Sequence, residues 1–149
     1  MSLPKPIDAL WSDLQAVRAE ALTEAERLSQ RQADWKAGTK DWSVGEIVHH
    51  LTMAEIAAPP GPAEAPPLVW PEHGKPIGEL IATMNATRER SRQSLERLAT
   101  LDPQKLSFKH FRLGDLDLAQ WWTLQAQHDG IHLAQIRDVK RAPGFPPGA

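Results

Sequence analysis

The chain reads as an all-α protein: a four-helix bundle with a proline-rich loop between its second and third helices. Three observations predict this. Four segments repeat apolar residues at i, i+3, i+4 and i+7, with charged residues between them. Two segments open on a capping-box pattern, and prolines or glycines fall at segment ends. Strand-like alternation is scarce, and four amphipathic helices must bury their stripes against one another.

The first segment runs from about Ile7 to Asp34. Ile7, Leu10, Trp11, Leu14, Val17, Ala21, Ala25 and Leu28 form its stripe, after Pro4 and Pro6. Gly38 closes it. The second opens on Trp42 and Ser43, where Ser43 and Glu46 form a capping box and Trp42 and Ile47 hold the flanking staple positions. It stops at Pro59 and Pro60. Residues 59–76 hold seven of the 13 prolines, and their length suggests a lid or a crossover connection, with Leu68 and Trp70 as side chains to bury. The third helix is expected from Pro76 to Leu101, its TRERSRQS stretch exposed to solvent. Residues 104–116 read as a folded-back loop or short hairpin. The fourth helix starts at Asp117, with Gln120 completing a second capping box, and ends near Lys140 and Arg141, which suit the negative end of its dipole. The bundle core is expected over about residues 7–140 of a single domain, with a flexible proline-rich tail at 142–149.

Composition narrows the function. With 149 residues, 41% hydrophobic and 24% charged, the chain has the balance of a soluble globular protein. A net charge of −2 argues against nucleic acid as a partner. The absence of cysteine excludes disulfides, thiolate metal sites and cysteine nucleophiles in this chain. No segment resembles a signal peptide and no apolar run approaches the roughly 20 residues that span a bilayer, so the expectation is a cytoplasmic protein with no membrane partner.

The polar residues of most interest are histidines. His128 and His132 are four apart, and residues at i and i+4 stack on one helix face. On a helical wheel, both lie near the centre of the apolar face made by Trp121, Leu124, Gln125, Ile136 and Val139. In the second helix, Ile47, Leu51, Ala54 and Ala58 mark the inward face. His50 sits at its edge and His49 nearly opposite. Three inward imidazoles from two helices suit a divalent ion such as Zn²⁺, Ni²⁺ or Fe²⁺ and leave coordination positions open. Gln125 and Gln135 flank the pair as candidates to orient a ring, and Trp70 is a candidate pocket residue. Spacing and facing alone leave a metal site and a metal-free polar network equally open. Glu46 reads as a cap, His73 and His110 as solvated loop residues, and Trp121 and Trp122 as core and staple. Asp129 reads as a surface residue, and neither it nor Glu46 or Glu55 faces the site.

Two motifs resemble the DinB-like superfamily of metal-binding four-helix bundles. WSVGEIVHHL is similar to that family's W-S/T-x-x-E-h-h-x-H-L segment (h apolar), whose metal histidine immediately precedes the leucine and maps to His50. FRLGDLDLAQWWTLQAQHDGIHLAQI is similar to its F-x-x-G-x-L-x-h-x-x-W segment followed by H-x-x-x-H-x-x-Q-I, which maps to His128 and His132. The resemblance implies a three-histidine divalent site and a small-molecule substrate. Characterised members are thiol-dependent transferases or isomerases using bacillithiol, mycothiol or glutathione. A thiol S-transferase is therefore the first expectation, with a metal-dependent hydrolase or a non-catalytic metal-stabilised binding module as alternatives, and a homodimer as the implied assembly. Two departures stand out: Asp129 where the family often has glutamate, and the proline-rich insert, which is expected to reshape the pocket entrance.

Overall fold

A computed structural model describes residues 3–58, 71–110 and 113–148. Four long helices carry the fold: α1 (Lys5–Glu26), α3 (Val44–Ala57), α4 (Ile77–Glu96) and α5 (Leu118–Arg141), with a short α2 (Gln30–Asp34) after α1. A hairpin of β1 (Ser107–His110) and β2 (Gly114–Asp117) precedes α5. The expected all-α bundle is what forms, and no helix among the described residues is long and apolar enough to cross a membrane.

Both expected capping boxes are present. The Ser43 and Asp117 side chains accept from the backbone N–H groups of Glu46 and Gln120, and those side chains reach back to the cap N–H. A third box, Ser29 with Gln32, shortens the first helix relative to expectation. It satisfies the donors of a new helix start, so the chain breaks after Glu26 and α2 begins afresh. α4 also stops early, at Glu96, and leaves in turns rather than continuing to Leu101. Its Pro76 cap offers no side-chain bond, and Gln30 supplies one from α2, accepting from the Ile77 N–H at 2.8 Å.

The helices pack as two pairs, α1 with α5 and α3 with α4, joined along thinner α3–α5 and α1–α4 seams. One apolar cluster holds Ala21 and Ala25 of α1, Val44 to Leu51 of α3, Leu80 and Met84 of α4, and Leu133 to Val139 of α5. The other holds Ile7 and Leu14, Ala58, Leu95, and Leu118 with Trp122. Each helix therefore runs from one cluster to the other. α1 and α5 point one way, α3 and α4 the opposite way. α3 ends in the second cluster while α4 begins in the first, so the 58–76 connection joins opposite ends of the bundle. Residues 59–70 of that connection lie outside the described residues. Such a stretch reaches about 60 Å when extended, against about 30 Å for the 20-residue α4.

Between the two clusters lies a layer of charge. Arg18 of α1, Glu55 of α3, Arg88 of α4 and Asp129 of α5 are each 5% exposed or less. Arg18 Nη2 donates to Glu55 Oε1 at 2.9 Å and Asp129 Oδ2 at 3.1 Å. Arg88 Nη2 reaches the same two oxygens at 3.0 and 3.1 Å, and Arg88 Nε binds the Glu55 carboxylate again. Ser91 Oγ donates to Glu55 Oε2 at 2.9 Å, and Gln125 Nε2 approaches Asp129 Oδ1 at 3.4 Å. Two expectations are corrected here. Asp129 is not a surface residue, and Thr87 and Arg88 of the TRERSRQS stretch are buried. The wheel places Asp129 at the edge of α5's face, but α1 lies against that edge and covers it.

The C-terminal residues lie against the fold. Phe145 meets Trp35 edge-on, ring centroids 5.5 Å apart, and the Pro146 carbonyl accepts from Gln32 Nε2. The 104–116 stretch contains the expected hairpin, its strands paired from Ser107↔Asp117 to His110↔Gly114, and Gly114 opens β2 at φ +79, where glycine avoids strain.

Ser43 is wholly buried, so its cap has no water to replace it. Ser43→Ala is expected to lower unfolding stability by about 1 kcal/mol. A urea midpoint that falls at unchanged slope is the readout.

Candidate metal centre

The α3–α5 seam holds the three histidines. The Ser43–Glu46 box sets where α3 begins, which places His50 in its second turn facing α5. His128 and His132 project from successive turns of α5. His50 Nε2 lies 3.0 Å from His128 Nε2, and His132 Nε2 lies 3.1 Å from that same atom. One ring nitrogen from each of the three lies within 4.8 Å of the others. A tetrahedral ion with Zn–N bonds of 2.0–2.1 Å separates its nitrogens by about 3.3 Å, close to the two short contacts. The donor set therefore fits a borderline divalent ion.

The surroundings orient the rings. Gln135 Oε1 lies 2.6 Å from His132 Nδ1. The amide oxygen there assigns the proton to Nδ1 and leaves the Nε2 lone pair aimed at the other rings. Trp42 walls the seam. Its ring stacks with His132 at 18° between planes, 6.1 Å between centroids, and lies 4.8 Å from the His50 ring. All three histidines are half-buried. Burial, reinforced by His132 and His50, pushes the His128 imidazolium down to about 4, so the ring is neutral near pH 7, the state that ligates metal.

Other candidates are placed elsewhere. His49 accepts the Glu72 N–H through Nδ1 on the far flank of α3, as the wheel implies. There, His49, Thr52, Lys75, Glu79, Leu80 and Thr83 line a small cavity of about 130 Å³. Gln125 is buried but bonds Asp129 in the charged layer. Trp70 lies outside the described residues. His73 binds the Asp34 carbonyl at 2.8 Å, and the His110 ring packs on Trp121. Two features escape sequence reasoning. Trp42 reads only as a staple, although a tryptophan one residue before a cap can cover a ring two turns on. The charged layer also has a signal: Arg18, Glu55 and Arg88 each follow a stripe leucine or methionine by four residues.

A helical bundle with three histidines converging between two of its helices defines a class of metal-binding bundle proteins. A sequence model of the DinB superfamily matches residues 13–136, and the chain belongs to that superfamily. No curated protein and no solved structure matches it.

The His128 shift has a sign that a titration can read. Its pKa is about 4 in the folded protein, against 6.5 for an unperturbed histidine, so the folded state prefers the neutral ring. This contribution to stability is intact above pH 6.5 and is lost as pH falls from 6.5 toward 4. Metal-free protein is expected to lose thermal stability across that window. His128→Gln is expected to flatten that part of the profile.

Proposed function

We propose that the chain is a metal-dependent enzyme of the thiol S-transferase kind, acting on a small-molecule electrophile. The observation that carries this reading is the convergence of three imidazole nitrogens, with no carboxylate or thiolate among them. His50, His128 and His132 are the ligands of a divalent ion of the zinc, nickel or ferrous class, and Gln135 holds His132 in the ligating tautomer. Bound there, such an ion supplies Lewis acidity at its open positions, which lowers the pKa of a coordinated thiol. Trp42 keeps the adjoining wall apolar, which favours the less solvated thiolate sulfur over water.

The chain has no cysteine, so the nucleophilic sulfur belongs to a low-molecular-weight thiol. Its sulfur forms a bond to the electrophilic carbon, the leaving group departs with the bonding pair, and the thiol proton goes to solvent. The hydrolase alternative needs a carboxylate base, and the nearby carboxylates are engaged. Glu46 caps α3, while Glu55 and Asp129 are held by two arginines. Burial raises the Glu55 carboxyl, but Arg88 and Arg18 more than reverse this and keep it ionised.

Metal analysis tests the ligand set. Wild-type protein loaded with Zn²⁺ and freed of excess is expected to retain one equivalent. The triple variant H50A/H128A/H132A is expected to retain none, and His49→Ala to behave as wild type. Equal metal in wild type and the triple variant would overturn the assignment.

Activity tests the reaction. Metal-loaded protein is expected to conjugate a physiological thiol with a chlorinated or epoxide electrophile, and to stop on chelation. Turnover of esters or amides without thiol would favour the hydrolase. Full metal with no turnover across both panels would leave a binding module.

A further inference from the structure

The buried charges have a geometry that bears on the histidines. Each tight helix pair contributes one arginine and one carboxylate: Arg18 and Asp129 from α1/α5, Arg88 and Glu55 from α4/α3. Each pair is therefore neutral by itself. Two of the bridges, Arg18–Glu55 and Arg88–Asp129, run from one pair to the other. They also cross the bundle's diagonals, where helices make few other contacts. Every hydrogen bond of the Arg18 guanidinium among the described residues goes to Glu55 or Asp129, and its Nε and Nη1 are buried without partners.

The histidines straddle the same division. His50 belongs to the α3/α4 pair, His128 and His132 to α1/α5. Asp129 directly follows His128, and Glu55 is five residues beyond His50 on the same helix. The seam between them is one of the two thin sides of the bundle, so apolar packing alone constrains it least.

We infer that Arg18, Glu55, Arg88 and Asp129 are positioning residues for the three-histidine site: they set the register in which the two helix pairs dock, and with it the place of His50 opposite His128 and His132. This rests on the proposed metal site but concerns different residues. A slide of one pair along the other by a single residue moves the helix by about 1.5 Å. That is enough to break a set of nitrogens 3.0 and 3.1 Å apart. Ionic hydrogen bonds resist such a slide because their partners are discrete, whereas apolar side chains repack.

Two variants test this. R18M/E55L/R88M/D129L replaces the layer with apolar side chains of similar size, a change that often leaves stability equal or higher. R18K/R88K keeps the charges but removes the planar forks. The apolar variant is expected to melt at or above the wild-type temperature. Its Zn²⁺ affinity is expected to fall by about 10- to 100-fold, with an altered visible spectrum of the Co²⁺ form. The lysine variant is expected to lie between.

The NMR contact between the His50 and His128 rings in metal-free protein supplies a readout independent of metal, and its loss in the variants is expected. A folded variant with wild-type affinity, spectrum and ring contact overturns the inference. If the apolar variant does not fold, the lysine variant decides by the same measurements. Wild type that binds no Zn²⁺, yet loses the ring contact on substitution, would defeat the metal site while supporting the positioning role.

Discussion

Four charged side chains meet where a bundle of this size would ordinarily place leucines, and much else in the fold is arranged around them. Isolated charges in that position cost far more than a domain's whole stability. Together, the two guanidinium and two carboxylate groups are neutral, and each carboxylate receives bonds from both arginines. The balance is not generous. Burial raises Asp129 despite the arginines beside it, and Arg18 leaves two nitrogens without partners. Such a layer contributes less to stability than apolar side chains of the same volume, but losing one member costs about 3–5 kcal/mol. Its effect is to exclude other dockings. A shifted helix would leave a charge unpaired in the interior, so the bundle has one acceptable register.

The legible and illegible parts of this fold divide along local and non-local physics. Helix starts at Ser43 and Asp117 are readable because a cap and its N3 partner lie three residues apart in sequence. The break after Glu26 depends on the same chemistry, at Ser29 and Gln32, but an unbroken run of apolar spacing through Leu28 masks it. Periodicity places His50 inward and His49 outward, as found. It fails at Asp129 and Arg88, because a wheel weights residues by their own polarity and cannot show that a partner on another helix will neutralise them. Each is a charge continuing an apolar stripe, and only the four together explain any one. Gln125 illustrates the same limit: it faces inward as expected, but its partner is Asp129 rather than a histidine. Trp42 is visible as a residue and invisible as a wall, since its contact with His132 spans two distant segments.

Topology explains why the proline-rich stretch is as long as it is. Because α3 and α4 are parallel neighbours, their connection joins opposite ends of the bundle, whereas the connections after α1 and α4 return to the same end and spend residues 27–43 and 97–117 on α2 and the β1–β2 hairpin. Prolines suit such a connection: they disfavour helix and so keep α3 from running on past the second apolar cluster. Parallel pairs also align their helix dipoles unfavourably within each pair, while the antiparallel seams between pairs align them favourably. The seam that carries the histidines is of the second kind.

The charged layer and the histidine trio both bridge the two helix pairs, yet they are opposites in what they need. The layer is complete within the chain, two positive groups against two negative. The trio brings like groups together: three imidazole nitrogens point at one another, and adding a proton to His128 is disfavoured by both neighbours. Left to themselves, such groups would turn outward to water across a thin seam. They stay converged because other parts of the structure hold them: Gln135 on one ring, Trp42 against two, and the arginine bridges across the seam. A site that is unfavourable on its own and held by its scaffold is pre-organised for a ligand that satisfies it. For three converging imidazole nitrogens, the ligand that meets all of them at once is a cation.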